Sequence, residues 1–274
     1  MAAPAAPAVP AAPTVPVVPP APPGPPPPPG EWKLWHTLAS LAVLALIIAL
    51  AIWAATSKTL LKDLNGHLPV WTFLALAALL LLFAALVGWG ITGHLGGLLE
   101  DPKKGRRLSL SRLQVLAWTF LVVAAYFNSF IVNLAGGFSN PLDVAIPGEL
   151  LIAMGISIGS LAGQKVVLAV KEDKNGDVPA GAATTNKSAV VKSPVPQWSD
   201  LFRGDTAETA GSLDLGKMQL FYITVALVLG YGIVVASGFA HVSQGITTLP
   251  KLDQAFVAVL AISHAGYLTT KAAS

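Results

Sequence analysis

Eight polar side chains fall within long apolar runs: Tyr126, Asn128, Ser129, Ser157, Ser160, Tyr231, Ser263 and His264. Polar groups are costly at hydrocarbon depth, so each is a candidate for a relay, a pore lining or an interhelical tie. None is an acid, and no Asp, Glu, Lys or Arg stands in the middle of a run. That argues against a proton- or sodium-coupled transporter, which uses an ionisable relay. His264 is the single imidazole at depth, suited to titration or to a bond between helices. Tyr126, Ser157, Tyr231, Ser263 and His264 are the residues expected to form a pore or polar network.

Two runs begin with a cation followed by a glutamine two residues on, Arg112 with Gln114 and Lys217 with Gln219. At head-group level such a pair holds lipid phosphates, caps free carbonyls or serves as a plain interfacial anchor. The stretch V-L-G-Y-G, Val228 to Gly232, differs by two residues from T-V-G-Y-G, the carbonyl-lined filter of potassium channels. A filter requires extended backbone, whereas this apolar run continues to Ala240, so a continuous helix is expected. His36 and His94 at span ends lack the pattern of a haem site, and Asp173 to Asp177 fails the calcium-loop spacing. The chain has no cysteine, which excludes disulfides and thiolate chemistry. With no nucleophile–base set, metal cluster or phosphate-binding glycine loop, no enzyme activity, catalytic residue, metal or cofactor is expected.

These side chains need membrane-spanning elements to hold them. The chain has 274 residues, 54% hydrophobic and 11% charged, with a mean hydropathy of +0.65. That composition belongs to an integral membrane protein. Apolar runs long enough to span a bilayer recur six times, near 34–56, 69–93, 113–136, 148–170, 218–240 and 253–271. The expected fold class is an all-α membrane protein of six transmembrane helices. Residues 1–30 carry 14 of the 22 prolines, with one at every third position from Pro4 to Pro28. That spacing lines up one edge of a polyproline II helix. The tail is either disordered or polyproline, and either a spacer or a ligand for a cytoplasmic protein partner. It has neither the basic nor the apolar region of a secretory signal.

Basic residues in the connections set orientation. Of the 17 lysines and arginines, only Lys58, Lys62 and Lys251 fall in the first and fifth connections, and none in the third. Both termini are therefore expected in the cytoplasm, and the positive charge reports topology with no nucleic-acid partner expected. Residues 108–127 and 213–232 match at an offset of 105: Leu108, Leu110, Gln114, Thr119, Val123 and Tyr126 recur as Leu213, Leu215, Gln219, Thr224, Val228 and Tyr231. The following spans match at 106, with Ile156, Ser157 and Lys165 recurring as Ile262, Ser263 and Lys271. The expected organisation is a tail (1–30), an added hairpin (31–99), repeat 1 (100–171), a cytoplasmic connection (172–212) and repeat 2 (213–274).

Gly155, Gly159 and Gly163 in one unit, answered by Ala261, Ala265 and Thr269 in the other, form small-residue stripes for close helix packing, within the chain or in a homo-oligomer. In the connection, Ser199 is suited to cap a short helix, and Trp198, Leu201 and Phe202 make an apolar edge for the membrane surface or a partner. The segments "SLSRLQVLAWTFLV", "LIAMGISIG", "WSDLFRGD" and "LDLGKMQLFYITV" together resemble a group of bacterial multi-spanning inner-membrane proteins with no assigned activity, over roughly 108–272. The resemblance implies a bacterial inner membrane and carries over no catalytic residue. The expected function is a non-enzymatic oligomeric scaffold or anchor among membrane lipid. The alternative is an oligomeric ion channel or pore lined by 148–170 and 253–271.

Overall fold

The computed structural model describes residues 32–57, 67–101, 107–159, 196–204, 209, 211–242 and 245–273. The proline-rich tail, Ser160, Gly163 and Lys165 lie outside the described residues. The chain is mostly helical, with six helices among the described residues. These are α1 Leu34–Thr56, α2 Leu68–Thr92, α3 Leu110–Ala135, α4 Gly148–Gly159, α5 Leu215–Phe239 and α6 Gln254–Ala273. Four of them, α1, α2, α3 and α5, are long and apolar enough to cross a membrane. Helix α5 passes without a break through Val228–Gly232, and no glycine there has a positive φ, so V-L-G-Y-G is helix.

Helices α3 and α5 start three residues earlier than the apolar runs suggest, taking in polar first turns, and that of α5 is capped by a side chain. Ser109 and Asp214 hold extended N-cap backbone, and the Asp214 carboxylate accepts from the Lys217 N–H at 3.1 Å. Helix α2 has Pro69 in its first turn and stops at Gly93, whose φ of 83° continues no helix and whose N–H donates to the Trp89 carbonyl at 2.8 Å. Gly90 has a packing reason: a Cβ there would stand 2.4 Å from the Trp32 ring. Trp32, Trp35 and Trp89 surround His36 at this end of the α1–α2 hairpin.

Most helix faces remain apolar and exposed, as Leu38, Ile48 and Ile52 on α1 and Leu229 and Ile233 on α5 illustrate. Helices apolar all round suit lipid on the outside and protein on the inside. Helix α3 is the most buried of the four. Its Ile131 and Ala135 pack with Val43 and Ile47 of α1 and Leu76 of α2. Its Trp118, Val122 and Ala125 pack with Phe73 of α2 and with Tyr231, Val235 and Phe239 of α5. With the alanines Ala124 and Ala125 fully buried, backbones approach closely without a hydrophobic driving force.

The loops after α3 and α5 are bound to each other. Ala145 and Thr248 form a parallel bridge, with the Ala145 N–H donating to Thr247 at 2.8 Å and the Leu249 N–H to Ala145 at 3.0 Å. Asn133, near the end of α3, accepts from the Ile246 N–H at 2.7 Å and donates to the Ile246 carbonyl at 2.8 Å. Tyr126 donates to the Leu142 carbonyl at 3.2 Å, and Tyr231 to the Pro250 carbonyl at 3.0 Å. Replacing Asn133 with Ala strips the second loop of both bonds and leaves part-buried backbone polar groups of Ile246 unmet. Unfolding in detergent should then show a loss of about 1–3 kcal/mol, with faster hydrogen exchange at the Ile246 amide. Asn140→Ala, at an exposed position, should change neither.

Candidate functional site

Among the described residues the buried Glu100, Asp101, Arg107, Asp200 and Lys217 lie at the opposite end of the bundle, where α3 and α5 begin. Each of these helices is introduced by the same local geometry. Ahead of α3 come a 3-10 turn (Leu95–Leu98), strand β1 (Glu100–Asp101) and its antiparallel partner β2 (Arg107–Leu108). Ahead of α5 come a 3-10 turn (Trp198–Leu201) and an antiparallel bridge of Arg203 with Leu213. Leu99 N–H donates to Gly96 and Ser109 N–H to Leu99; likewise Phe202 N–H donates to Ser199 and Asp214 N–H to Phe202. Leu95, Leu98 and Leu99 thus correspond in position to Trp198, Leu201 and Phe202.

This correspondence explains the apolar edge around Trp198. Leu201 is fully buried with Leu108, Leu110, Leu220 and Tyr267, so it belongs to the chain's own core and offers no partner surface. Phe202 is half-buried, its ring 5.1 Å from that of Phe221. Trp198 alone of the three is exposed, at 58%, much as Leu95 is in the first lead-in at 66%. The short helix is capped by Gln197, whose N–H donates to the Asp200 carboxylate at 2.9 Å, and Ser199 lies inside it.

The two lead-ins are joined by a buried ion pair. Arg107 Nε lies 3.5 Å from Asp200 Oδ1, both side chains only 4% exposed, and Arg107 Nη1 donates to the Gly204 carbonyl at 2.8 Å. Two charges in so dry a place are supported by further hydrogen bonds, Arg107 to the Gly204 carbonyl and the Gln197 N–H to Asp200. Lys217, expected at the head groups, is buried as well and its ammonium donates to the Arg203 carbonyl. Gln114 is buried and donates across to Thr224 of α5 at 2.5 Å, whereas its counterpart Gln219 is exposed. Arg112 differs from all of these. Its Nε is buried without a hydrogen-bond partner.

The residues expected to form one polar network do not converge. Tyr126 and Tyr231 serve the far loops, and the Ser157 hydroxyl donates to the Ala153 carbonyl of its own helix at 3.1 Å. Ser263 and His264 are buried on α6, and neither ring nitrogen of His264 has a hydrogen-bond partner. Gly155 and Gly159 are exposed, and a Cβ on either would meet no atom within 4 Å. Ala265 and Thr269 are exposed too, and Ala261 is half-buried. His36 Nδ1 accepts from the Lys33 N–H at 3.0 Å, while His94 contacts Thr92 and, at 3.3 Å, Glu100. Among the described residues no group of three His, Cys, Asp or Glu is placed to hold a metal.

The ties that sequence reasoning missed are Asn133, Arg107 and Asp200. Asn133 had a signal, an amide two residues from the end of an apolar run. Comparison with protein-family profiles, curated proteins and solved structures finds no match to this chain.

Arg107→Leu leaves the Asp200 carboxylate buried opposite a hydrocarbon and should cost about 3–5 kcal/mol of stability in detergent unfolding. The double variant Arg107→Leu with Asp200→Leu should recover most of that loss. A double variant as unstable as the sum of the two single ones would show that the pair is not coupled.

Proposed function

We propose that this chain is a non-enzymatic membrane scaffold or anchor, assembling as a homo-oligomer in a bacterial inner membrane with both termini in the cytoplasm. The observation that carries the reading is the use to which the polar groups are put. Gln114, Asn128, Asn133, Tyr126 and Tyr231 spend their hydrogen bonds on the chain's own loops and helices. A transporter or membrane enzyme keeps such groups facing a substrate path.

The open faces of Gly155 and Gly159 support contact with a second copy, since small residues in membrane helices allow close packing and no described residue occupies theirs. The matched lead-ins support a duplicated unit that begins near Leu95 and Trp198, upstream of the boundaries at 100 and 213. The second lead-in then belongs to its repeat and no longer to the 172–212 connection. The Trp198 ring lies 6.5 Å from that of Phe221, which lies 6.1 Å from the ring of exposed Tyr222. Aromatic rings so grouped at a helix start favour the membrane interface as their surroundings. Presentation to cytoplasmic protein partners therefore falls mainly to the proline-rich tail.

A pull-down from membranes with full-length protein and with residues 31–274 tests this reading. The truncated chain should keep its oligomeric state in mild detergent and lose cytoplasmic partners. An unchanged partner list would remove the tail from the account. Gly159→Leu should shift the oligomer toward monomer while leaving the melting temperature of the protomer within a few degrees.

A further inference from the structure

The unpaired Arg112 stands on the wall of a groove. Between α2 and α3 runs an open, largely apolar channel of about 690 Å³. Phe83, Val87 and Ile91 form one side and Leu116 and Phe120 the other. Its lower end meets Leu98, Glu100 and Arg112, at the boundary where α2 stops and α3 starts. From Leu80 to Thr92 the α2 wall extends roughly 18 Å at 1.5 Å per residue, a length that suits an acyl chain.

Three facts select the occupant. First, the other buried cations at this end are already engaged: Arg107 by Asp200 and Gly204, Lys217 by Arg203. Arg112 occupies the position that corresponds to Lys217, yet no described residue meets its buried Nε. A buried guanidinium nitrogen without a partner is costly, and the planar fork of a guanidinium matches the oxygens of a phosphate. Second, the apolar walls lie on two helices long enough to cross a membrane, so the occupant arrives from the bilayer. Third, Glu100 puts a carboxylate at the same mouth, held 3.3 Å from His94. An acid beside a base fits a head group that carries both charges.

We propose that this groove binds one membrane glycerophospholipid of the phosphatidylethanolamine class, with its phosphate on Arg112, its ammonium toward Glu100 and an acyl chain along α2 and α3. Binding is non-covalent. The inference rests on the chain spanning a membrane and not on the scaffold reading, so either can fail alone. A second groove of about 550 Å³ between α1 and α2, lined by Leu46, Ala49, Leu50, Trp53, Ala75, Ala78 and Leu79, has no charged group and serves as the control.

Native mass spectrometry of the full-length protein in detergent, with dioleoyl phosphatidylethanolamine and dioleoyl phosphatidylglycerol added in equal amounts, tests the proposal. The wild type should retain one phosphatidylethanolamine per chain in preference to phosphatidylglycerol. Arg112→Gln should reduce that retention at least roughly tenfold, the effect of one lost charge-assisted contact. Val87→Trp, which fills the groove from the other wall, should do the same, and Ala49→Trp should not. Thermal melting of each variant separates loss of lipid from loss of fold. Retention unchanged in Arg112→Gln or Val87→Trp, equal loss in Ala49→Trp, or a preference for phosphatidylglycerol would overturn it.

Discussion

Hydrocarbon offers no hydrogen bonds, and every backbone group that leaves the helical pattern near a membrane must find a partner inside the protein. Here the helix ends set that problem. On the far side, the loops after α3 and α5 meet it by pairing with each other through Ala145 and Thr248 and by borrowing the Asn133 amide. Asn128 ties α3 to α2, donating to the Pro69 carbonyl at 3.0 Å while accepting from the Thr72 hydroxyl at 2.8 Å. Polar side chains within the spans are thus used for ties inside the bundle, and each bond offsets the cost of burying the groups that make it.

At the charged end the solution is different. Short hairpins and 3-10 turns bring backbone strands to the start of α3 and α5, and the Arg107–Asp200 pair fastens one lead-in to the other. A pair of this kind contributes less through Coulomb attraction than through specificity, since a wrong register would leave either charge buried alone. The helices themselves, apolar all round, carry little information about rotation about their own axes. The polar ties supply it: Gln114 to Thr224 sets α3 against α5, and Asn128 to Pro69 sets α3 against α2.

Much of the helical content was legible from apolar run length, because backbone satisfaction in lipid leaves few alternatives. Four of the six expected spans are helices of crossing length, and the continuous helix through V-L-G-Y-G followed from its uninterrupted apolar flank. The site was less legible. Trp198, Leu201 and Phe202 have the spacing of an amphipathic edge, yet Leu201 is buried by Leu108, Leu110, Leu220 and Tyr267, contacts from elements remote in the chain. Lys217 and Arg112 look alike in sequence but differ in partners, since only the backbone path of 203–214 delivers a carbonyl to Lys217. That Arg107, one of the four basic residues before α3, would be buried depended on a contact with Asp200, more than ninety residues away in the chain.

On the scaffold reading proposed above, the deep polar groups are structural ties and the bundle offers no path for a solute. His264 is the sharpest challenge to that account, being buried with both ring nitrogens unbonded. Potassium and proton flux from proteoliposomes holding the full-length protein tests the claim directly. The account predicts leakage equal to that of protein-free liposomes at every imposed voltage and pH gradient. A protein-dependent flux that falls in Ser157→Leu or His264→Leu would contradict it and return the chain to the pore reading.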